Sequence, residues 1–255
     1  AASLLIDIDK YMIPQKEAIS QTAYYAVAVF IATVVEIPGR AMFQILNPMV
    51  AKAINNNDFN NLNDLYQRSS SNLLIICGFF FLLIDLNIVS FYKLMNNEFY
   101  SDAILVVLII SIAKLIQMSF GCGPAILATS SFYKITLPFS ISMAISVYFL
   151  NDYLIDLYGI NGAAISTLIV LFLFTILKVL YINFKLKIHP YNLNTIKIIS
   201  VICLVYFVFG LFQLDFDPLF NIILKSIFIS LVYISLVYFL KLSKTINNTI
   251  DSLIK

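Results

Sequence analysis

The stretch VVEIPGRAMFQILNPM, Val34 to Met49, decides how the rest of the chain is read. It is apolar enough to be buried, yet Glu36, Arg40 and Gln44 recur in it at four-residue spacing, and Pro38, Gly39 and Pro48 interrupt it. At 3.6 residues per turn the three polar side chains fall on one helical face, where the acid and the base can pair. What that face meets depends on the solvent around the helix.

Composition names the solvent. Of 255 residues, 61% are hydrophobic and 12% charged, and the mean hydropathy is +0.92. A water-soluble domain carries about twice that share of charge, so the sequence predicts an integral membrane protein. A net charge of +2 is too small to suggest a nucleic-acid partner. Cys77, Cys122 and Cys203 are odd in number and set in apolar runs, so they read as small core residues and not as a disulfide framework. The single histidine, His189, stands beside Pro190 in a polar connection. There is no Cys/His cluster, glycine-rich phosphate loop or nucleophile–base spacing, so neither a metal, a cofactor nor an enzyme is expected. Carboxylate pairs at span ends, Asp152 with Asp156 and Asp215 with Asp217, keep a membrane transferase open, but polar caps explain them more simply.

Apolar stretches recur near 20–54, 69–92, 101–128, 132–154, 160–184, 195–214 and 218–241, most of them long enough to span a bilayer as helices. The expected fold is an all-α polytopic membrane helix bundle with seven full crossings and a truncated first helix. The opening AASLLIDIDKYMI has no initiator methionine and no signal-peptide pattern, so it reads as a fragment entered partway through a helix. The connections NNNDFNNLND, NNEFYSD, KLKIHPYNLNTIK and QLDFDP are too short to house a soluble domain.

One alternate set of connections holds Lys52, Arg68, Lys134, Lys185, Lys187, Lys197, Lys241, Lys244 and Lys255, whereas the other holds Glu98, Asp102, Asp152, Asp156, Asp215 and Asp217, with Lys93 the main exception. The positive-inside rule then predicts a cytoplasmic C-terminus. In DFNNLNDLYQRS, Phe59, Leu62, Leu65 and Tyr66 form one stripe, which fits either a short interfacial helix or a solvated linker.

A charge near the bilayer centre costs roughly 2.5–3.5 kcal/mol even on lenient scales, so the Glu36–Arg40–Gln44 face is expected to line a water-filled cavity, with a structural ion pair as the alternative. Pro38 removes a backbone donor, predicting a bend at Pro38–Gly39, and broken helices at membrane depth are typical of transporters. Asp7, Asp9 and Lys10 intrude into the first helix, and Lys114 and Gln117 into the span 101–128. Lys114 can snorkel or pair with Glu36, and Asp7 with Lys10. Asp85 and Lys178 stand near span ends and are expected to snorkel to the interface. GCGPAILATSS, with Gly121, Gly123 and Pro124, predicts a kink or hinge, with unwinding as the rival. Short connections, intramembrane polar groups and broken helices together point to transport.

The order DIDKYMI, AYYAVAVFIATVVEIPGRAMFQILNPMVAKAINNND, FYSDAILVVLIISIAKLIQMSFGCGPAILATSSFYK and LNDYLIDLYGINGAAISTLI resembles the C-terminal half of bacterial polysaccharide flippases. These are the O-antigen and capsule type lipid-linked oligosaccharide translocases of the multidrug/oligosaccharidyl-lipid/polysaccharide exporter superfamily. The resemblance covers roughly residues 5–185. It implies that 1–185 is the second lobe of a two-lobe transporter, running from a partial helix 7 to helix 12, and that 186–255 holds two extra membrane helices and a cytoplasmic tail. It also implies a missing N-terminal lobe, a bacterial inner-membrane location and an undecaprenyl-diphosphate-linked glycan as cargo. The family's cavities carry several basic residues; here Lys10, Arg40 and Lys114 are the basic positions, joined by Glu36, Gln44, Asp9 and Gln117 as cavity positions. A coupling cation or proton is a further implied partner. A multidrug or metabolite cation antiporter, and a membrane-embedded glycan polymerase or acyltransferase, are the alternatives.

Overall fold

Apolar runs that must hide their backbone polar groups from lipid can do so as helices, and every regular element among the described residues is helical. A computed structural model describes residues 2–95, 103–211 and 217–254, and side chains within 8–252 of these. Glu98, Asp102, Asp215, Lys255 and the side chain of Asp7 lie outside the described residues. The chain runs through α1 (Ala2–Lys16), α2 (Ile19–Thr33), a 3-10 turn (Val34–Glu36), α3 (Ile37–Asn55), α4 (Phe59–Asp85), the short α5 (Ile88–Leu94), α6 (Ile104–Ser119) and α7 (Gly123–Thr129). A second 3-10 turn (Tyr133–Ile135) leads into α8 (Thr136–Leu186), then α9 (Leu193–Leu211), α10 (Pro218–Phe239) and the terminal α11 (Lys244–Ile254).

The segments Ile19–Asn55, Phe59–Asp85, Tyr133–Leu186, Leu193–Leu211 and Pro218–Phe239 are each long and apolar enough to cross a membrane, and α6 with α7, bent by 54° at their break, qualify as a pair. The chain is an all-α, multi-pass membrane helix bundle. Tyr133–Leu186 has 54 residues, which as a straight helix would reach ~80 Å, far beyond a hydrocarbon core of ~30 Å. It is not straight. Gly159 sits at φ 56°, ψ −136°, a region essentially reserved for glycine, and the chain doubles back there. The Ser166 hydroxyl donates to the Asn151 side-chain oxygen fifteen residues earlier, and Val170 and Phe174 pack against Met143 and Val147. α8 is therefore a helical hairpin with arms 136–158 and 160–186. With its arms taken separately, and α6–α7 as one broken span, the described residues hold seven segments long and apolar enough to cross, the number expected.

Charged groups gather at the two ends. The α1–α2 connection meets the hairpin tip, where Lys16 bridges Asp152 at 2.6 Å and Asp156 at 2.9 Å. The opposite end is organised around Val50, Ala53, Leu62, Tyr66, Ile182 and Ile188, and Lys52, Lys134, Lys185 and Lys187 adjoin this cluster in sequence.

Two expectations change. DFNNLNDLYQRS is neither an interfacial helix nor a linker. It forms the first turns of α4, because the Asp58 carboxylate accepts from the Asn61 backbone N–H at 3.1 Å and starts the helix there. Leu62 and Tyr66 then bury against α3 and α7, whereas Phe59 stays exposed. Asp85 does not snorkel either: it is buried, 8% exposed, and neither of its carboxylate oxygens has a hydrogen-bond partner among the described residues. α9 and α10 cover that end of α4, with Phe81 stacked on Tyr206 at 5.6 Å and Asn87 donating to Ser226 at 3.2 Å.

Candidate functional site

Two polar constellations occupy the helical middle of the bundle, each built around one acid. The first forms where α2 gives way to α3. Pro38 has no N–H to offer the Val34 carbonyl four residues back, so the Ile37 N–H takes that carbonyl instead and the backbone tightens into the 3-10 turn Val34–Glu36. Glu36 closes this turn and is buried, 9% exposed. Its carboxylate accepts from the Arg40 guanidinium at 2.5 Å and from Lys114 Nζ at 2.8 Å. The 3-10 turn itself packs against α6, which brings Glu36 to Lys114, and Gly39 just beyond it leaves room for Met118, whose sulfur would have to shift from a Cβ 2.5 Å away.

The three groups differ in access. Lys114 is 4% exposed, but the Arg40 side chain is 68% exposed. Gln44 and Asn47 are exposed as well. One and two turns beyond Arg40, they extend a polar stripe along α3. Glu36 is thus a buried anchor: Lys114 neutralises it from inside and Arg40 projects outward from it.

The break between α6 and α7 lies about two turns beyond Lys114. Gly121 has φ 57°, and a Cβ on it would come within 2.7 Å of Ser69 Oγ and the Ser70 backbone nitrogen. Irregular backbone at this depth requires substitute partners. The Ser70 hydroxyl donates to the Ser119 carbonyl at 2.6 Å, and Ser69 Oγ accepts from the Cys122 N–H at 2.9 Å. The run Ser69–Ser70–Ser71, buried in α4, is thereby explained in large part by the needs of a neighbouring helix.

The second constellation surrounds Asp9 of α1, 1% exposed. Its carboxylate accepts from Tyr25 Oη of α2 at 2.5 Å, from Asn151 Nδ2 in the first hairpin arm at 2.5 Å, and from Thr167 Oγ1 in the second at 2.9 Å. Ser166 supports Asn151 in turn. The closure of the hairpin at Gly159 is what brings these donors from sequence separations of 142 and 158 to one carboxylate. Among the described residues no lysine or arginine forms an ion pair with it, although the adjacent, half-buried Lys10 acts on it through space.

Of the expected cavity positions, then, Arg40 and Gln44 face outward, Lys10 and Gln117 are half-buried, and Glu36, Lys114 and Asp9 are enclosed. Glu36, Arg40 and Lys114 come together, whereas Asp9 belongs to a separate cluster. Of the expected hinge positions, Pro38 and Gly39 follow the 3-10 turn and Gly123 and Pro124 open α7 at the 54° break. Tyr25, Asn151, Ser166 and Thr167 carry no sequence signal of their own, because a lone hydroxyl or amide in an apolar run gains meaning only from its tertiary partner. No family model, curated protein or solved structure matches the chain.

Proposed function

We propose that this chain forms one lobe of a transporter that moves an undecaprenyl-diphosphate-linked oligosaccharide across the bacterial inner membrane for polysaccharide biosynthesis. The observation that carries the reading is the guanidinium of Arg40, exposed at the middle of a 37-residue apolar segment and tethered at its base to a buried carboxylate. Such a charge at mid-span is unfavourable against lipid and belongs to a wet passage. A diphosphate head would take the free edge of the guanidinium in bidentate fashion. Glu36 holds Arg40 in position when no anion is bound, and Gln44 offers a neutral hydrogen-bonding step one turn further on. The unlike ends of the bundle support an orientation with the lysine-bearing end and the C-terminus in the cytoplasm.

The Asp9 cage supports ion coupling: a carboxylate ringed by hydroxyl and amide groups can exchange a proton or a monovalent cation. It also favours a second reading, a drug or metabolite cation antiporter of the same superfamily. Arg40→Ala in the complete protein separates the two. The flippase reading predicts loss of surface glycan with unchanged membrane insertion, and normal glycan export by that variant would overturn it.

A further inference from the structure

We propose that the cleft between α4, α10 and α11 binds one anionic phospholipid, its phosphodiester head among Arg68, Lys244 and Ser71 and an acyl chain in the apolar chamber beside them. The chamber holds about 460 Å³ and is walled by Met42, Ile75, Phe79, Val237, Ile246 and Ile250, a volume within the range of small-ligand pockets. A polar pocket of about 180 Å³, lined by Asp64, Arg68, Ser71 and Lys244, shares Asn72 and Thr245 with it. The two spaces therefore adjoin and form one site, apolar at one end and hydrogen-bonding at the other. That is the division of an amphiphile.

The polar end contains unspent donors. Ser71 is buried, and its hydroxyl has no hydrogen-bond partner among the described residues. Arg68 uses Nε on Asp64 at 2.8 Å, and among the described residues its terminal NH₂ groups have no other ion pair. Lys244 is exposed and in no ion pair among the described residues. Two cations against one carboxylate leave a single positive charge, which suits a phosphodiester; arginine's planar fork fits two of its oxygens. The rim is preformed: the Ser243 hydroxyl donates to Asn72 Oδ1 at 2.6 Å, and Tyr238 Oη donates to the Asp251 carboxylate at 2.8 Å, so α11 is pinned with Ile246 and Ile250 on the chamber. The site also lies at the lysine-bearing end of the bundle, where anionic lipid heads are attracted to basic residues. This lipid is a constituent of the membrane and not transported cargo, and the inference does not rest on the flippase reading.

Native mass spectrometry of the purified full chain, titrated with phosphatidylglycerol or phosphatidylcholine, tests it. One phosphatidylglycerol is expected to be retained on the order of tenfold more strongly than phosphatidylcholine. Arg68→Ala with Lys244→Ala should abolish that preference, Arg68→Lys should keep most of it, and Ile246→Trp, which fills the chamber, should weaken both lipids. Equal retention of the two lipids, or an unchanged preference in the double variant, would overturn the proposal. So would displacement of phosphatidylglycerol by an equal concentration of inorganic phosphate, since the chamber would then contribute nothing. Displacement by a lower concentration of undecaprenyl phosphate would reassign the site to carrier lipid.

Discussion

Glu36 and Asp9 are both carboxylates in the middle of the bundle, and their surroundings differ in kind. Glu36 is compensated by charge: one buried ammonium and one outward guanidinium. Among the described residues, the partners of Asp9 at hydrogen-bond distance are dipoles, from a phenol, an amide and a hydroxyl on three other helical segments, with the Lys10 charge acting only through space. The difference teaches what each can do. A carboxylate paired with two cations presents net positive charge to whatever meets Arg40, and so attracts anions. A carboxylate whose direct hydrogen-bond donors among the described residues are neutral can lose its charge without breaking an ion pair there, and so can exchange a small cation or proton.

The contrast breaks most sharply at Lys114. Lys114→Met leaves Glu36 buried with one exposed partner, and the loss should approach about 3 kcal/mol in a denaturation series. Adding Glu36→Gln should recover most of it, since removing both partners of a buried pair is far cheaper than removing one. Gly121→Ala comes next, at about 1–2 kcal/mol, because φ 57° is left-handed and the new Cβ meets the serines of α4. Asn151→Leu removes one neutral donor from Asp9. Membrane hydrogen bonds average about 0.6 kcal/mol with a ceiling near 1.7, so a loss in that interval is expected, below that of Lys114→Met, and a larger one would show that the two acids are not distinguished by charge. Arg40→Ala should change stability by less than about 1 kcal/mol, as for other exposed pairs, while removing transport. Lys16→Ala, at the end of α1 and paired with carboxylates exposed near the hairpin tip, should have the smallest effect on thermal stability.

The apolar crossings and the places where they break were legible from the sequence, since composition, proline and glycine report on backbone alone. Pro38 marked the bend that the 3-10 turn makes, and GCGP the 54° bend, whereas the reversal at Gly159 showed in the sequence only as the gap between the stretches 132–154 and 160–184. The Glu36–Arg40 pair was legible because both residues lie on one helix, and Lys114 was a candidate partner through its mid-span position. What stayed hidden depended on packing between distant segments. Tyr25, Asn151 and Thr167 look like ordinary members of apolar runs until the hairpin closes over Asp9. Asp85 looks like a span-end residue until α9 and α10 cover it. The serines of α4 look like polar noise until the α6–α7 break calls for donors and acceptors.

The most direct test of a wet face beside a sealed core is thiol labelling with a membrane-impermeant maleimide, in the intact protein with the exposed Cys203 replaced by alanine and Cys77 and Cys122 left buried. Cysteine placed at Arg40 should react from at least one side of the membrane, and cysteine placed at Asp9 should not. Failure to label position 40 from either side would contradict the account, because the guanidinium would then face protein or lipid and not a water-filled passage.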